Sequence, residues 1–383
     1  MKLKTADRLN CIEEYFLAKT LRKGTGKDVI NLAVGNPDIP PPPEVIKALM
    51  KSIEEKGSHL YQPSAGNEIY RRQAAQWYKK TFGVSLDYGK ELISLIGSKE
   101  GIFHISLALL NKGDRVFAPD PGYPIYRHCA ELTESKPIVY NLLESNGWQI
   151  DISELEEKCT GREKIIWLNS PHMPTGSLLT KRTLQNVVQF AKERNIIIVH
   201  DNPYSFILNR EKPLSILSIK GAKDIAVELC SLSKTFNMPG FRLAAAAGNS
   251  ALLEAVIKTK SIADSGSFLP LQMAAVKAFS LGNSWHKKLN VIYGKRQSEA
   301  VKLARLLACA VSENSSGMFI WAKLPGKQDD IEFCNELFNS AKILFTPGSI
   351  YGKNGKGHVR ISLCAPVEKI KQAQELIIKQ RGK

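Results

Sequence analysis

The segment Ser231-Leu232-Ser233-Lys234 closes an apolar run, and Arg242 follows eight residues after the lysine. A lysine leaving a buried strand loses solvation, so its amine tends toward the neutral, nucleophilic form. Two hydroxyls and a guanidinium nearby are donors that a phosphate takes. An amine able to bond an aldehyde beside a phosphate site points to pyridoxal phosphate. Asp201 offers the matching half of that chemistry. It follows the run Ile196-Ile197-Ile198-Val199-His200 and stands three residues before Tyr204. A carboxylate at a strand end can keep a pyridinium nitrogen protonated, and a tyrosine hydroxyl can bond the ring's phenolic oxygen. Taken alone, Asp201-Asn202-Pro203-Tyr204 reads as a turn with an Asx bond. Paired with Lys234, it reads as the rest of a cofactor site.

Three further positions suit the same ligand. Gly97-Ser98-Lys99 lies between an apolar strand and a helix, where exposed N–H groups and the helix dipole attract an anion. Ser98 also serves there as an ordinary helix cap. Tyr123 follows Pro121-Gly122 and precedes Pro124, so its ring is placed to stack on a flat cofactor. Arg360 sits within Val359-Arg360-Ile361, and a buried arginine at a crevice mouth grips a carboxylate through two parallel hydrogen bonds. On its own it reads equally as a surface strand arginine.

These residues need a scaffold that gathers them. Leu92 to Ile96, Arg115 to Ala118, Ile165 to Leu168, Ile196 to His200 and Ile225 to Leu232 read as strands, interleaved with helical stretches such as Thr180 to Glu193. That alternation predicts an α/β fold with a mostly parallel central sheet sandwiched by helices. In such sheets ligands sit beyond the carboxyl ends of the strands. The polar motifs fall there consistently: residues 97–99, 122–123, 172–175, 201–204 and 231–234. From about residue 280 the pattern changes. A long helix over Trp285 to Leu307, an edge-type strand over Gly317 to Lys323 and a closing helix over Glu368 to Gln380 predict a smaller α+β domain. The run Pro40-Pro41-Pro42-Pro43 marks an extended crossing. The expected division is an N-terminal segment 1–43 joining the small domain, a cofactor-binding domain 44–279 and a small domain 280–383.

The bulk numbers exclude several classes. The chain has 383 residues, 43% hydrophobic and 23% charged, as in ordinary globular proteins. No stretch approaches eighteen uninterrupted apolar residues, so no membrane partner is expected. The start, Met1-Lys2-Leu3-Lys4, has no apolar signal run, and a cytoplasmic location is expected. Seven scattered cysteines predict free thiols, and they and the seven histidines predict no metal site. The charge of +16 is dispersed, without basic blocks interleaved with aromatics, so no nucleic-acid partner is expected.

The chain resembles the fold-type I, class I/II aminotransferases from Val34-Gly35-Asn36-Pro37 to Arg360. The matching pieces come in the family's order: Tyr61 with Gly66, the loop Gly97 to Gly101, Tyr123, Pro174-Thr175-Gly176, Asp201 with Tyr204, Ser231 to Arg242, and Arg360. The resemblance implies Lys234 as the residue bonded to the cofactor, Asp201 on the ring nitrogen and Tyr204 on the phenolic oxygen. It implies Arg360 on the substrate α-carboxylate and Gly35 bordering the substrate. Gly97, Ser98, Lys99, Ser231, Ser233 and Arg242 would surround the phosphate. Tyr61 would reach the phosphate of a neighbouring subunit, making the active unit a homodimer. Within the family, Gly97-Ser98-Lys99-Glu100-Gly101, Pro119 to Pro124 and Asp264-Ser265-Gly266 are most like the LL-diaminopimelate aminotransferase group.

Two departures bear on chemistry. The family usually has asparagine before Pro-Thr-Gly, bonding the phenolic oxygen, whereas this chain has Met173. Asn169, four residues earlier, is not expected to replace it. The LL-diaminopimelate group tends to carry a glutamate near the glycine after the Tyr61-type tyrosine, for a distal ammonium, whereas this chain has Ser64-Ala65-Gly66. The expected function is exchange of an amino group between an L-amino acid and a 2-oxo acid, of the LL-diaminopimelate and 2-oxoglutarate type. The rival readings are a C–S β-lyase on the same cofactor, a homologue impaired by Met173, and a non-catalytic binding protein on this scaffold.

Overall fold

In the computed structural model, residues 4–10, 26, 28–312 and 315–381 are described. Most of the segment before residue 28, including Cys11, lies outside them. Thirteen strands are found among the described residues. They are β1 (Ile30–Asn31), β2 (Leu92–Leu95), β3 (Arg115–Asp120), β4 (Lys136–Asn141), β5 (Glu163–Asn169), β6 (Ile197–Asp201), β7 (Ala226–Ser231), β8 (Ala244–Gly248), β9 (Ala310–Val311), β10 (Phe319–Lys323), β11 (Ile343–Leu344), β12 (Thr346–Pro347) and β13 (His358–Ser362).

Seven strands make the central sheet in the order β2-β8-β7-β6-β5-β3-β4. The pairs β3–β4, β3–β5, β5–β6 and β6–β7 are parallel. Strand β8 runs antiparallel to both β7 and β2. Only β8 is therefore reversed, and the carboxyl ends of the other six share one edge. The strands read as nearly continuous apolar runs because both faces are covered. Along β5, Ile166 and Leu168 pack into one buried cluster while Ile165 and Trp167 pack into the opposite one, the two-residue alternation of a strand. Strand β8 is Ala244-Ala245-Ala246-Ala247-Gly248, fully buried, and small side chains let helices approach it closely on both sides.

A second sheet has the order β12-β13-β10-β9, and β1 pairs in parallel with β11. Strand β10 lies between β13, which pairs along its whole length, and β9, which pairs with Ala322 and Lys323, so the edge-type assignment of this segment is corrected; Phe319, Ile320 and Trp321 are buried. The long helix spans Ser284–Leu306 and packs its apolar stripe on this sheet. The core around Phe319, Val359 and Ile361 extends to Met173 and Tyr204, whose loops leave the central sheet. The crevice lies where this core meets the carboxyl edge of the strands.

Candidate active site

Beyond that edge lies a cavity of about 250 Å³, lined among others by Gly35, Ser98, Lys99, Tyr123, Asp201, Tyr204, Ser231, Ser233, Lys234, Arg242 and Arg360. Segments widely separated in the chain thus meet in one place. Ser98, Tyr123, Asp201, Tyr204 and Lys234 lie at or just beyond the carboxyl ends of strands that reach this edge, Arg242 leads into the reversed β8, and Gly35 and Arg360 come from the segments around β1 and β13.

Lys234 sits on the short helix Leu232–Thr235 directly after β7, where the Ser231 hydroxyl accepts from Ser233 N at 3.2 Å and caps the turn. Its Nζ donates to the carbonyl of Gly35, bringing the chain's early segment to the lysine. Burial, with Arg360 and Arg242 nearby, pushes the Lys234 ammonium pKa down. An amine poised toward its neutral form is both nucleophile and base.

Asp201 ends β6. Its Oδ2 accepts from the Tyr126 hydroxyl at 2.7 Å, and its buried Oδ1 has no partner among the described residues. Burial raises its pKa to about 6, while the Tyr126 bond opposes that shift. Tyr126 is held by a stacked contact with Trp167, ring centres 5.0 Å apart. A buried carboxylate oxygen without a donor is costly, and a protonated ring nitrogen would satisfy it. Asn169 donates from Nδ2 to the Asp201 carbonyl at 2.8 Å and accepts from Met173 N at 2.8 Å. Both ends of its amide are therefore engaged, and Asn169 also lines the cavity.

Gly97 precedes the helix Ser98–Leu109 at φ +82°, and a Cβ there would stand 2.2 Å from Arg242 Nη2. The missing side chain is what lets the guanidinium lie against the loop. Arg242, itself at φ +53°, donates to Pro239 O at 2.8 Å. The buried Ser98 hydroxyl has no partner among the described residues. Lys99 also lines the cavity, and burial lowers its pKa. A helix start, an unpaired hydroxyl and two cations fit a phosphate.

Arg360 is only 3% exposed. Its Nη2 donates to Ala33 O at 2.6 Å, its Nη1 to the Met173 sulfur at 3.2 Å, and its guanidinium lies 4.0 Å from the centre of the Phe319 ring. Nε has no partner, and no carboxylate pairs with Arg360 among the described residues. Arg296, by contrast, is matched bidentately to Asp38 at 2.7 and 2.8 Å. Tyr204 is edge-on to Phe319, and burial raises its hydroxyl pKa. Tyr123 is edge-on to Tyr126 at the cavity wall.

One anticipated residue stands apart. Tyr61 is 90% exposed and outside the cavity. Two contributors escaped sequence reading, Tyr126 and Phe319. Tyr126 was findable as the residue one helical turn past Tyr123. Phe319 carried no local signal, since its position over Gly35 arises only in the folded chain: a Cβ on Gly35 would lie 2.4 Å from Phe319 Cζ.

A mostly parallel sheet that delivers a buried lysine, an aspartate with one open oxygen and a loop whose donors fit a phosphate to one edge defines a fold-type I pyridoxal-phosphate-dependent enzyme. The sequence pattern of the family "Aminotransferase class I and II" matches residues 27–377, and the chain belongs to that family. It is similar to the LL-diaminopimelate aminotransferase of Aquifex aeolicus, 39% identical over 378 residues, covering 97% of this chain and 98% of the relative. It is also similar to that of Halothermothrix orenii, 36% identical over 379 residues and covering 97% of each. Among solved structures it resembles substrate-bound BacF of Bacillus subtilis, with TM-score 0.94 and 31% identity over 99% of this chain and 98% of the other. An aminotransferase from Staphylococcus aureus gives TM-score 0.91 and 29% identity over 98% of each. The chain is a pyridoxal-phosphate-dependent transaminase, exchanging an amino group between an L-amino acid and a 2-oxo acid.

Proposed function

We propose that this transaminase takes LL-diaminopimelate as amino donor and 2-oxoglutarate as acceptor, with Lys234, Asp201, Tyr204 and Arg360 in the central roles. Bound pyridoxal phosphate supplies a ring that accepts the electron pair left when the substrate's α-carbon loses a proton. Arg360 binds the substrate α-carboxylate through its guanidinium edge. Lys234 would bond the cofactor through Nζ, and with its pKa lowered it would serve as the base that moves the substrate's α-proton. Asp201 Oδ1 holds the ring nitrogen protonated, and Tyr204 donates to the phenolic oxygen. Ser98, Lys99, Ser231, Ser233 and Arg242, with the Gly97 backbone, hold the phosphate, while Tyr123 packs on the ring and Gly35 borders the substrate.

The observation that carries this reading is the pairing of a buried arginine that lacks a carboxylate with a buried lysine of depressed pKa in one cavity. The choice of substrate rests on full-length relatives bearing that name. The absence of an acid at Ser64-Ala65 sets the test. A panel of amino acids, including LL-diaminopimelate and glutamate, is scored by the spectral change of the half-reaction. A response to LL-diaminopimelate supports the proposal, and a response confined to other donors overturns the substrate. Pyruvate and ammonia from cystathionine without an oxo-acid acceptor would favour the lyase. No response to any donor would identify an impaired homologue.

The proposal includes a cytoplasmic homodimer, with the division 1–43, 44–279 and 280–383. Exposed Leu60, Tyr61 and Ile262 lie on segments joined by the Gln62 N to Ser265 O bond, an apolar surface suited to a second copy. Mixing Tyr61→Ala with Lys234→Ala and refolding together restores activity if Tyr61 serves the partner's site. No helix among the described residues is long and apolar enough to cross a membrane.

A further inference from the structure

A second cluster of charge lies behind the phosphate cradle, outside the cavity. The side chain of Lys260, on the helix Ser250–Ala263, is 1% exposed. Its Nζ pairs with Asp264 Oδ2 at 2.5 Å and lies 3.4 Å from Glu100 Oε1. The same Glu100 oxygen is 3.0 Å from His104 Nε2. Burying an ammonium is costly, and apolar side chains could fill the same space more cheaply. The arrangement therefore asks what the charge holds in place.

Following the bonds outward answers this in two directions. Glu100 Oε2 accepts from the backbone N–H of Ile96 at 3.0 Å. Ile96 is the residue before Gly97, and its carbonyl accepts from Arg242 Nη2 at 3.5 Å. The approach to the cradle is thus held at one side by Glu100 and at the other by Arg242. In the second direction, Asp264 Oδ1 accepts from Gly266 N at 2.8 Å, and its carbonyl accepts from the Ser64 hydroxyl at 3.1 Å. Gly266, at φ +79°, is pressed against the segment carrying Tyr61: a Cβ there would stand 2.4 Å from Gln62 O. One buried cation joins two acids, and each acid holds a different backbone segment.

We infer that Lys260 is a positioning residue that ties the Ile96–Ser98 backbone, through Glu100, to the Tyr61-bearing segment, through Asp264, and so sets the geometry of the phosphate cradle. This rests on the reading of Gly97-Ser98 as that cradle. Without the ammonium, Glu100 and Asp264 face each other with only the His104 ring beside them, and Glu100 turns away from Ile96. The loop then loses its preset shape for phosphate, while contacts to the pyridine ring through Asp201 are untouched.

The test compares pyridoxal phosphate with pyridoxal, which lacks the phosphate, by titrating the cofactor-stripped full chain and following tryptophan fluorescence. Lys260→Met weakens pyridoxal phosphate binding roughly tenfold, the scale of one lost charge-assisted hydrogen bond, and shifts pyridoxal by less than about twofold. Glu100→Gln, which keeps the size and leaves Lys260 with Asp264, shifts the ratio of the two constants in the same direction and serves if Lys260→Met does not fold. If both ligands weaken alike, or neither changes, Lys260 is only a packing residue and the inference is overturned. Ser98→Ala separates this from the underlying reading. If Ser98→Ala moves the ratio and the Lys260 and Glu100 variants do not, the coupling alone falls. If none moves it, the cradle falls as well.

Discussion

The sulfur of Met173 lies 3.2 Å from Nη1 of Arg360 and faces the guanidinium that we assign to the substrate carboxylate. A thioether is a weak acceptor, so Arg360 keeps most of its donor capacity. Met173 is also held by its own backbone, since its N–H donates to Asn169 Oδ1 at 2.8 Å. The residue that departs from the family's asparagine therefore touches the arginine proposed for the carboxylate and lines the cavity proposed for the cofactor.

Met173→Asn places an amide N–H where the family bonds the cofactor's phenolic oxygen. A hydrogen bond to the deprotonated oxygen favours proton loss from the lysine–cofactor linkage. The pH midpoint of the cofactor's visible absorbance in the purified enzyme should fall by about one unit. An unchanged midpoint would show that residue 173 does not face that oxygen.

Arg360→Lys replaces a planar fork by a point charge and removes the contact with Phe319, now 4.0 Å from the guanidinium. The expected loss in kcat/KM is about 100-fold, mostly in KM, because a buried charged pair loses a partner of matched geometry. Steady-state kinetics decide this. A loss confined to kcat would place Arg360 elsewhere in the reaction.

Asp201 links the site to stability. In the cofactor-free protein, burial raises its carboxyl from 3.8 to about 6. Between those values the folded state holds a proton that the unfolded chain has released, so the group's contribution to stability falls as pH rises through that window. Above it the penalty is roughly 3 kcal/mol. Cofactor-free Asp201→Asn should therefore be more stable than the cofactor-free parent above about pH 7, by up to that amount, and should gain nothing below about pH 4. Denaturant titrations at the two pH values check it. With cofactor bound the order reverses, because only the ionised carboxylate pairs with a protonated ring nitrogen.

Gly97→Ala puts a Cβ 2.2 Å from Arg242 Nη2 on a backbone at φ +82°. The guanidinium must move, and the left-handed backbone is strained by about 1–2 kcal/mol. The unfolding midpoint should fall accordingly. Affinity for pyridoxal phosphate should drop roughly tenfold, with pyridoxal little affected. Equal losses for both ligands would argue against a phosphate role for this loop.

Much of the site could be read before any fold was known, for a definite reason. In a mostly parallel sheet the strands end on one edge, so polar residues that follow apolar runs are brought together by topology. Asp201 at the end of β6 and Lys234 just after β7 are such residues, and adjacent parallel strands make them neighbours. Strand β8 escaped notice because four alanines carry no strand signature. Its place in the sheet comes from neighbours on both sides. Strand β10 reads as an edge in the sequence because β9 is only two residues long and β13, which pairs along its whole length, follows only at His358.

Sequence alone determined which chemical groups this protein carries and that they follow apolar, strand-like runs, because residue type and the run of apolar residues are local properties. Tertiary structure decided which of their atoms stay unpaired. Asp201 Oδ1 is open because Tyr126, stacked on Trp167, takes only Oδ2. Lys234 is dry because Gly35, nearly two hundred residues earlier, closes over it. Arg360 faces sulfur and a ring, with no acid among the described residues, because β13 packs against Phe319 and the loop of Met173. Desolvation and pairing depend on contacts between distant segments, and those exist only once the chain has folded.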